Sequence, residues 1–365
     1  MERYSRQTIL KEFGVAGQQR LAEARVLVVG AGGLGCPALL YLAGAGIGHL
    51  GIVDDDIISE SNLHRQLLFC AADVGKRKVD VAKERLLAQN PTTQIETFTQ
   101  RLDQVNALEM IKKYDYVLDG TDNIPTKYIL NDACVLLGKT LLYGAASQYE
   151  GQVAVLNCYA HSSAAVNYRD IFPVMPAEEE VPSCADAGVI GVLPGIIGTL
   201  QASEIIKLIV GIGRPLVNRL LTYSLLNQEI FTVELTPHPD AKRDTPATAE
   251  QFSTYDYGNG CLVAVSELRA SQLLAKMPNA VLIDVREKGE LPEFLAIANE
   301  QIPLSLFDEY IGEWAERSVI FFCQSGVRSK KAAERYRQLF PKNKEVYSVN
   351  DSIYALLKQF SNDEK

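Results

Sequence analysis

The chain has 365 residues, 47% hydrophobic and 22% charged, with a formal net charge of -9. That length fits two domains rather than one, and the composition is that of a soluble globular protein. The acidic balance argues against a general nucleic-acid binder, and the polar start Met1-Glu-Arg-Tyr-Ser5 argues against a signal peptide.

In chain order, residues 25–29 form an apolar run closed by Gly30-Ala-Gly32-Gly33-Leu-Gly35, and residues 50–53 form a second closed by Asp54. Cys36–Gly44 between them has the length and composition of a crossover helix. Strand, glycine turn, helix, strand and acid make the first half of a doubly wound, Rossmann-like α/β sheet. Gly75–Gln89 is predicted as a helix with Val79, Ala82, Leu86 and Leu87 on one face, and Ile95–Thr99 as a strand. Tyr114–Asp119 is a buried strand ending in acid, followed by Gly120-Thr-Asp122-Asn123. Thr126–Leu137 reads as a helix, Lys139–Tyr143 as a strand, and Gly151–Asn157 as a strand opening a more antiparallel region. This order puts Gly30, Asp54 and Asp119–Asp122 on one rim, at the carboxyl ends of parallel strands.

Further on, Ala187–Leu200 is the most apolar stretch. It is short, contains Pro194 and several glycines, and reads as a buried loop entering a helix rather than a membrane span. Composition changes at Thr236–Thr248, whose three prolines suggest a linker. The expected organisation is therefore a domain over 1–235, a linker over 236–254 and a smaller α/β domain over 255–365. Strands at Ala280–Asp284, Val319–Phe322 and Glu345–Val349 alternate with helices in the latter. Seven cysteines form no Cys-x-x-Cys pair and four histidines form no metal-like cluster, a pattern suited to the reducing cytoplasm.

Glycines 30, 32 and 35, with Gly33 in addition, have the spacing that lets a backbone approach phosphate at a helix amino end. The competing reading is a glycine turn with only a structural role. Asp54 is placed to bind a ribose diol. Alone, these features suggest a dinucleotide site. Ser61-Asn62-Leu-His-Arg65-Gln66 and Lys76-Arg-Lys78 add fixed cations that hydride transfer does not need. Splitting ATP between its α and β phosphates develops charge that Arg65 and Lys78 would stabilise and Mg²⁺ would share, with Asp122 as the metal ligand. For any one of these cations the plain alternative is a solvated face.

Near the other end, Cys323-Gln-Ser-Gly-Val-Arg328-Ser329 lies between a strand and a helix. Amides curled around the sulfur, the helix terminus and Arg328 would depress the thiol pKa and hold a persulfide anion. An inert buried thiol is the alternative. A phosphatase cradle spaces its arginine one residue further from the cysteine.

The first 235 residues resemble the ubiquitin-activating-enzyme-like adenylyltransferases of molybdopterin and thiamin biosynthesis, the MoeB/ThiF/HesA family. The resemblance rests on Arg3-Tyr-Ser-Arg6-Gln7, the glycine turn, Asp54–Gln66, Lys78 and Gly120–Asn123. Gly144-Ala-Ala, Glu150-Gly-Gln and Pro182-Ser-Cys184-Ala-Asp-Ala-Gly188 extend it. It implies ATP phosphates on the turn, ribose on Asp54, and Asn62, Arg65, Gln66, Lys78 and Asn123 around the nucleotide. It also implies Mg²⁺ at Asp122 and a homodimer in which Arg6 reaches the partner's site. Cys184 sits where some relatives engage the carrier or its sulfur; a buried structural thiol or a loop contact is the alternative. The substrate implied is a small ubiquitin-like sulfur carrier ending in Gly-Gly.

Many relatives hold zinc with two Cys-x-x-Cys pairs. Here Val166-Asn-Tyr-Arg-Asp170 and Pro239-Asp-Ala-Lys-Arg243 stand in those places, so no structural zinc is expected. Residues 255–360 resemble the rhodanese sulfurtransferases, with Cys323 as the sulfur-carrying cysteine and Ile283–Glu287 supporting its loop. The usual His-Ile-x-Gly-Ala stretch is replaced by Ala296–Pro303. The expectation is adenylation of the carrier, then sulfur transfer from a Cys323 persulfide charged by a donor such as a cysteine desulfurase. Neither nucleic acid nor a membrane is expected as a partner. The rivals are a nicotinamide dehydrogenase and a non-catalytic carrier-binding scaffold.

Overall fold

A computed structural model of the chain describes residues 2–159, 165–176, 188–239, 241, 245–257, 266–269, 271–273, 280–292, 300–312, 314, 318–340, 345–354, 356 and 358. Two compact units, Met1–Gly258 and Asn259–Lys365, make up the molecule.

In the first unit, α1 (Ser5–Thr8) and α2 (Gly14–Glu23) precede β1 (Arg25–Val29), α3 (Gly35–Ala45), β2 (His49–Val53), α4 (Lys78–Gln89) and β3 (Gln94–Phe98). Then come α5 (Ala107–Ile111), β4 (Tyr116–Asp119), α6 (Ile124–Leu137), β5 (Thr140–Ser147), β6 (Glu150–Leu156) and α7 (Tyr168–Ile171). Helix α8 (Val192–Val210), strands β7 (Arg219–Ser224) and β8 (Glu229–Glu234), and α9 (Ala249–Thr254) complete it.

The eight-stranded sheet has the order β3-β2-β1-β4-β5-β6-β7-β8, parallel through β5 and antiparallel beyond. Strand order reverses at β1, because β2 and β3 lie on one side of it and β4 and β5 on the other. Alternation along β1 sends Val26 and Val28 into the core under α3 and α8, and Leu27 and Val29 into the core under α5 and α6. Both sheet faces are therefore covered, as a doubly wound fold requires.

Helix α8 is long and apolar enough to cross a membrane, and its apolarity has a use in the core. It crosses α3 so closely that a Cβ on Gly198 would lie 2.1 Å from the Leu34 carbonyl oxygen. Buried Gln201 in its middle donates to the carbonyls of Asp119 and Leu142, tying the helix to the sheet.

Three details differ from the sequence reading. Helix α4 begins at Lys78 rather than Gly75, because Gly75 has φ +87° and Arg77 bridges to Ile57. Strands β7 and β8 extend the sheet where no strand is expected. The first unit also runs on through 249–257, since Phe252 and Tyr257 are buried in its core.

The second unit has a five-stranded parallel sheet in the order β11-β10-β12-β13-β9. Its members are β9 (Ser266–Leu268), β10 (Ala280–Asp284), β11 (Glu300–Gln301), β12 (Ser318–Phe322) and β13 (Val346–Val349), with helices α10 (Phe307–Tyr310) and α11 (Val327–Leu339). Val319 and Phe321 face one core of this unit, Ile320 and Phe322 the other.

Candidate functional site

The rim at the carboxyl ends of β1, β2 and β4 is built around the glycine turn. Gly30 has φ +94°, and a Cβ there would meet the Gly120 carbonyl oxygen at 2.7 Å. The clash is reciprocal: a Cβ on Gly120 would lie 2.8 Å from the Gly30 oxygen. Backbone thus packs on backbone, holding the loop after β4 against the turn after β1. A Cβ on Gly35 would fall 1.9 Å from the same Gly30 oxygen, so α3 starts that close only with glycine at its first residue. Gly32 is open, with Gln66 Nε2 at 3.7 Å from a built Cβ as its nearest neighbour.

Asp54 closes the turn. Its Oδ2 accepts from the Ala31 amide at 2.8 Å and its Oδ1 from the Asp56 amide at 2.9 Å. Burial pushes its carboxyl above the usual range, while Lys78 and the two amides pull the other way. Lys78 Nζ lies 2.7 Å from Asp56 and 3.9 Å from Asp54, with its own side chain only 5% exposed. The Asp54-Asp55-Asp56 triplet is thereby partly neutralised by a lysine rather than left as an open cation site.

Asn62 is used locally, its Oδ1 accepting from the Ser59 amide at 3.3 Å. Arg65 runs back over the turn, its Cδ 3.6 Å from a Cβ built on Gly33, and its Nη1 contacts Ser61 O at 3.0 Å and His64 Nε2 at 2.8 Å. Gln66 is 3% exposed and its buried Oε1 has no partner among the described residues, an acceptor that a ligand hydroxyl or amine would satisfy.

Past β4, Asp119 is buried against Lys127 at 2.7 Å and fixes Thr121 through both its amide and hydroxyl. Lys127 also donates to Gly144 O at 2.9 Å, joining α6, β4 and β5 beneath the rim. Asp122 is exposed on the loop above. Asn123 caps α6, its Oδ1 accepting from the Thr126 amide at 3.0 Å.

A nucleotide fits these groups: an open glycine backbone, an orphaned buried acceptor and a guanidinium over the turn. The Asp122 carboxylate is the hard oxygen donor that Mg²⁺ takes beside phosphate and water.

In the second unit, Cys323 directly follows β12 and is buried. The Gly326 amide donates to its Sγ at 3.2 Å and Ser329 Oγ lies 3.5 Å away. Gly326 has φ +87° and is the N-cap of α11. Arg328 is engaged by Glu290 through both guanidinium Nη atoms, one at 2.7 Å, and this bond holds the Glu290 carboxyl down at about 2. The expected positive charge beside the sulfur loop is therefore paired rather than bare. Arg286 is fully buried in a fork with Asp284 and donates to Pro292 O at 2.9 Å, fixing the loop that carries Glu290.

The ThiF family model matches residues 4–245. The chain belongs to the ThiF family. It is 40% identical over 340 residues to the probable adenylyltransferase/sulfurtransferase MoeZ of Mycobacterium tuberculosis, covering 90% of this chain and 86% of that protein. It is 47% identical over 253 residues to a sulfur carrier protein adenylyltransferase of Thermus thermophilus, covering 68% of this chain and 93% of that one. The crystal structure of E. coli MccB with ATP shares the fold, with a TM-score of 0.55, 23% identity, and coverage of 66% of this chain and 73% of that one.

Within this ThiF-family unit, the fold gathers Gly30, Gly32, Gly33, Gly35, Asp54, Arg65, Gln66 and Lys78 around one turn, with the Asp122–Asn123 loop seated against it through Gly120. Arg6 is not among them. It is exposed on α1, and its neighbour Gln7 is tied to Ala45 O, at the opposite end of α3 from the turn. Cys184 lies outside the described residues. Cys36 is inside the site's helix but inert, because burial pushes its thiol up to about 12.

The sequence reading puts Asp119 and Gly120 on the rim, but it names neither the Lys78–Asp56 pair, nor the Gly30–Gly120 backbone contact, nor the Asp119–Lys127 pair. A lysine placed among apolar residues in a predicted helix was the available sign of Lys127. Val166–Asp170 is held by side chains: Arg169 forks onto buried Asp132, and Asp170 Oδ1 accepts from the His238 amide at 2.7 Å.

Proposed function

We propose that this chain adenylates the C-terminal glycine carboxylate of a small ubiquitin-like sulfur carrier, then transfers persulfide sulfur to give a thiocarboxylate. The observation that carries the reading is the glycine turn closed by Asp54 and overlaid by Arg65, in one chain with a Cys323 loop. The adenylyltransferase/sulfurtransferase name of a relative 40% identical over 340 residues supports both halves.

In this reading the turn amides and Arg65 hold the ATP phosphates, Asp54 takes the ribose hydroxyls, and Asn62, Gln66 and Asn123 line the nucleotide. Lys78 pairs with Asp54 and Asp56 and orients those two acids. Asp122 would hold Mg²⁺, which supplies charge neutralisation on phosphoryl oxygens when bound. The carrier carboxylate is already ionised at neutral pH, so its attack on the α-phosphorus needs no general base. Pyrophosphate leaves and the carboxylate becomes a mixed anhydride, a far better electrophile.

A Cys323 persulfide, loaded by a donor such as a cysteine desulfurase, then attacks the acyl carbon and displaces AMP. Two equivalents of an external thiol, or one dithiol, reduce the resulting acyl disulfide, releasing thiocarboxylate and the Cys323 thiol as the reductant leaves as a disulfide. The active form is a homodimer in the cytoplasm in which Arg6 serves the partner's site. Carrier-dependent ATP–pyrophosphate exchange tests the first half. Exchange is expected only with Gly-Gly-tailed carriers; a folded protein that exchanges with none of a panel of them rules the reading out.

A further inference from the structure

The contact between Arg65 and His64 has a direction that chemistry fixes. A guanidinium only donates, so His64 Nε2, 2.8 Å from Arg65 Nη1, must be the acceptor. The imidazole is then neutral, with its proton on Nδ1. Nη1 carries two hydrogens, and its other partner is Ser61 O at 3.0 Å. Both Nη1 hydrogens are thus committed. Among the described residues Nε and Nη2 have no partner, and their hydrogens share the edge that binds phosphate oxygens in pairs.

His64 is itself held in place. A Cβ on Gly191 would lie 2.2 Å from the His64 carbonyl oxygen and 3.1 Å from its Nδ1, so the start of α8 packs directly on this residue. From Gly188 to Ser203 that element carries no acidic, basic or histidine side chain. On its own segment Arg65 is the charged group facing the ring, with Glu60 at the segment's start. Protonation would put a hydrogen on Nε2, set donor against donor, and place a cation beside the guanidinium.

We propose that His64 is a positioning residue whose neutral imidazole turns the Nε–Nη2 edge of Arg65 towards nucleotide phosphate, so that ATP affinity falls on acidification. The proposal rests on the reading that Arg65 meets ATP. The loss is read in Kd and KM for ATP, and in kcat so far as Arg65 also stabilises the charge that develops on the phosphates.

The test uses the full chain, with ATP·Mg²⁺ binding followed by calorimetry and exchange kinetics between about pH 5.5 and about pH 8.5. His64→Gln keeps an acceptor that does not titrate, and His64→Phe removes it. At the alkaline end His64→Phe is expected to bind ATP roughly 3- to 10-fold more weakly than wild type, and His64→Gln to recover most of that. The wild-type to His64→Gln ratio of Kd values, in which the titration of ATP itself cancels, is expected to rise several-fold on acidification. ATP binding with a pH-invariant ratio overturns the role of His64 alone, as does wild-type affinity in His64→Phe. No ATP binding by wild type at any pH overturns the underlying reading, and this proposal with it.

Discussion

Asp132 and Arg169 form a fork with no solvent around it: Nε to Oδ1 at 2.9 Å, Nη2 to Oδ2 at 2.7 Å, and side chains at most 1% exposed. Taking both charges out of water costs several kcal/mol each, and Coulomb attraction alone does not reliably offset it. The surroundings supply the rest. Tyr257 donates to Asp132 Oδ2 at 2.9 Å, and the guanidinium lies 4.8 Å from the Tyr128 ring centroid and 5.0 Å from that of Tyr255. The pair therefore clamps α6, α7 and the 249–257 segment together. Tyr257→Phe is expected to destabilise the first unit by about 1.5–3 kcal/mol, the range for a bond to a charged acceptor. Arg169→Met leaves Asp132 buried and unpaired and should cost about 3–5 kcal/mol, part of it restored by adding Asp132→Asn. Urea unfolding of the full chain measures all three. Wild-type stability in Arg169→Met would remove the clamp from the account.

At the scale of elements, the β1–α3 turn is shaped by backbone proximity rather than by flexibility. Gly35→Ala sets a methyl 1.9 Å from the Gly30 carbonyl oxygen, and neither atom belongs to a side chain that can rotate away. The turn must open, which should cost at least about 3 kcal/mol and lower exchange activity by roughly 100-fold or more. Gly75→Ala is the contrasting case, with φ +87° but nothing within 4 Å of the new methyl. Only left-handed backbone strain of about 1–2 kcal/mol is expected there, with little loss of ATP affinity. Equal effects of the two changes on thermal stability and exchange would show that close approach is not what the turn requires.

The same contrast explains what was legible in the sequence. Strands β1 and β2 and the turn between them announce themselves, because buried parallel strands are continuous apolar runs and close approach demands glycine. Strand β8 does not, since all six of its residues are exposed and no burial pattern marks it. The start of α4 was misjudged because a single left-handed glycine reset the chain. Asp132 and Arg169 stand 37 residues apart, so nothing local in either residue's sequence names its partner. Asn123 was expected on the nucleotide from family likeness, while its side chain also has the local task of capping α6.

At the scale of the whole molecule, the two chemical steps are written in separate compact units, each with its own sheet and its own cores. Adenylation as proposed uses groups of the first unit only, and sulfur transfer as proposed uses Cys323 in the second. In the proposed sequence of steps, the covalent link between the two units raises the effective concentration of one reactive group for the other. Burial of Phe252 and Tyr257 in the first core commits residues up to 257 to that unit. Separation of the steps makes them separable by mutation. Cys323→Ser exchanges one small buried side chain for another, so the second unit should stay folded while losing the atom that carries sulfur. Carrier-dependent ATP–pyrophosphate exchange is expected to stay within about twofold of wild type, since none of the phosphate-binding groups is touched. Thiocarboxylate formation, followed by mass spectrometry of the carrier with a persulfide donor present, is expected to fall at least about 100-fold, because a hydroxyl cannot form a persulfide. Undiminished thiocarboxylate from Cys323→Ser would move the sulfur-carrying role to another thiol of the chain. Loss of exchange as well would mean that the second unit takes part in adenylation itself.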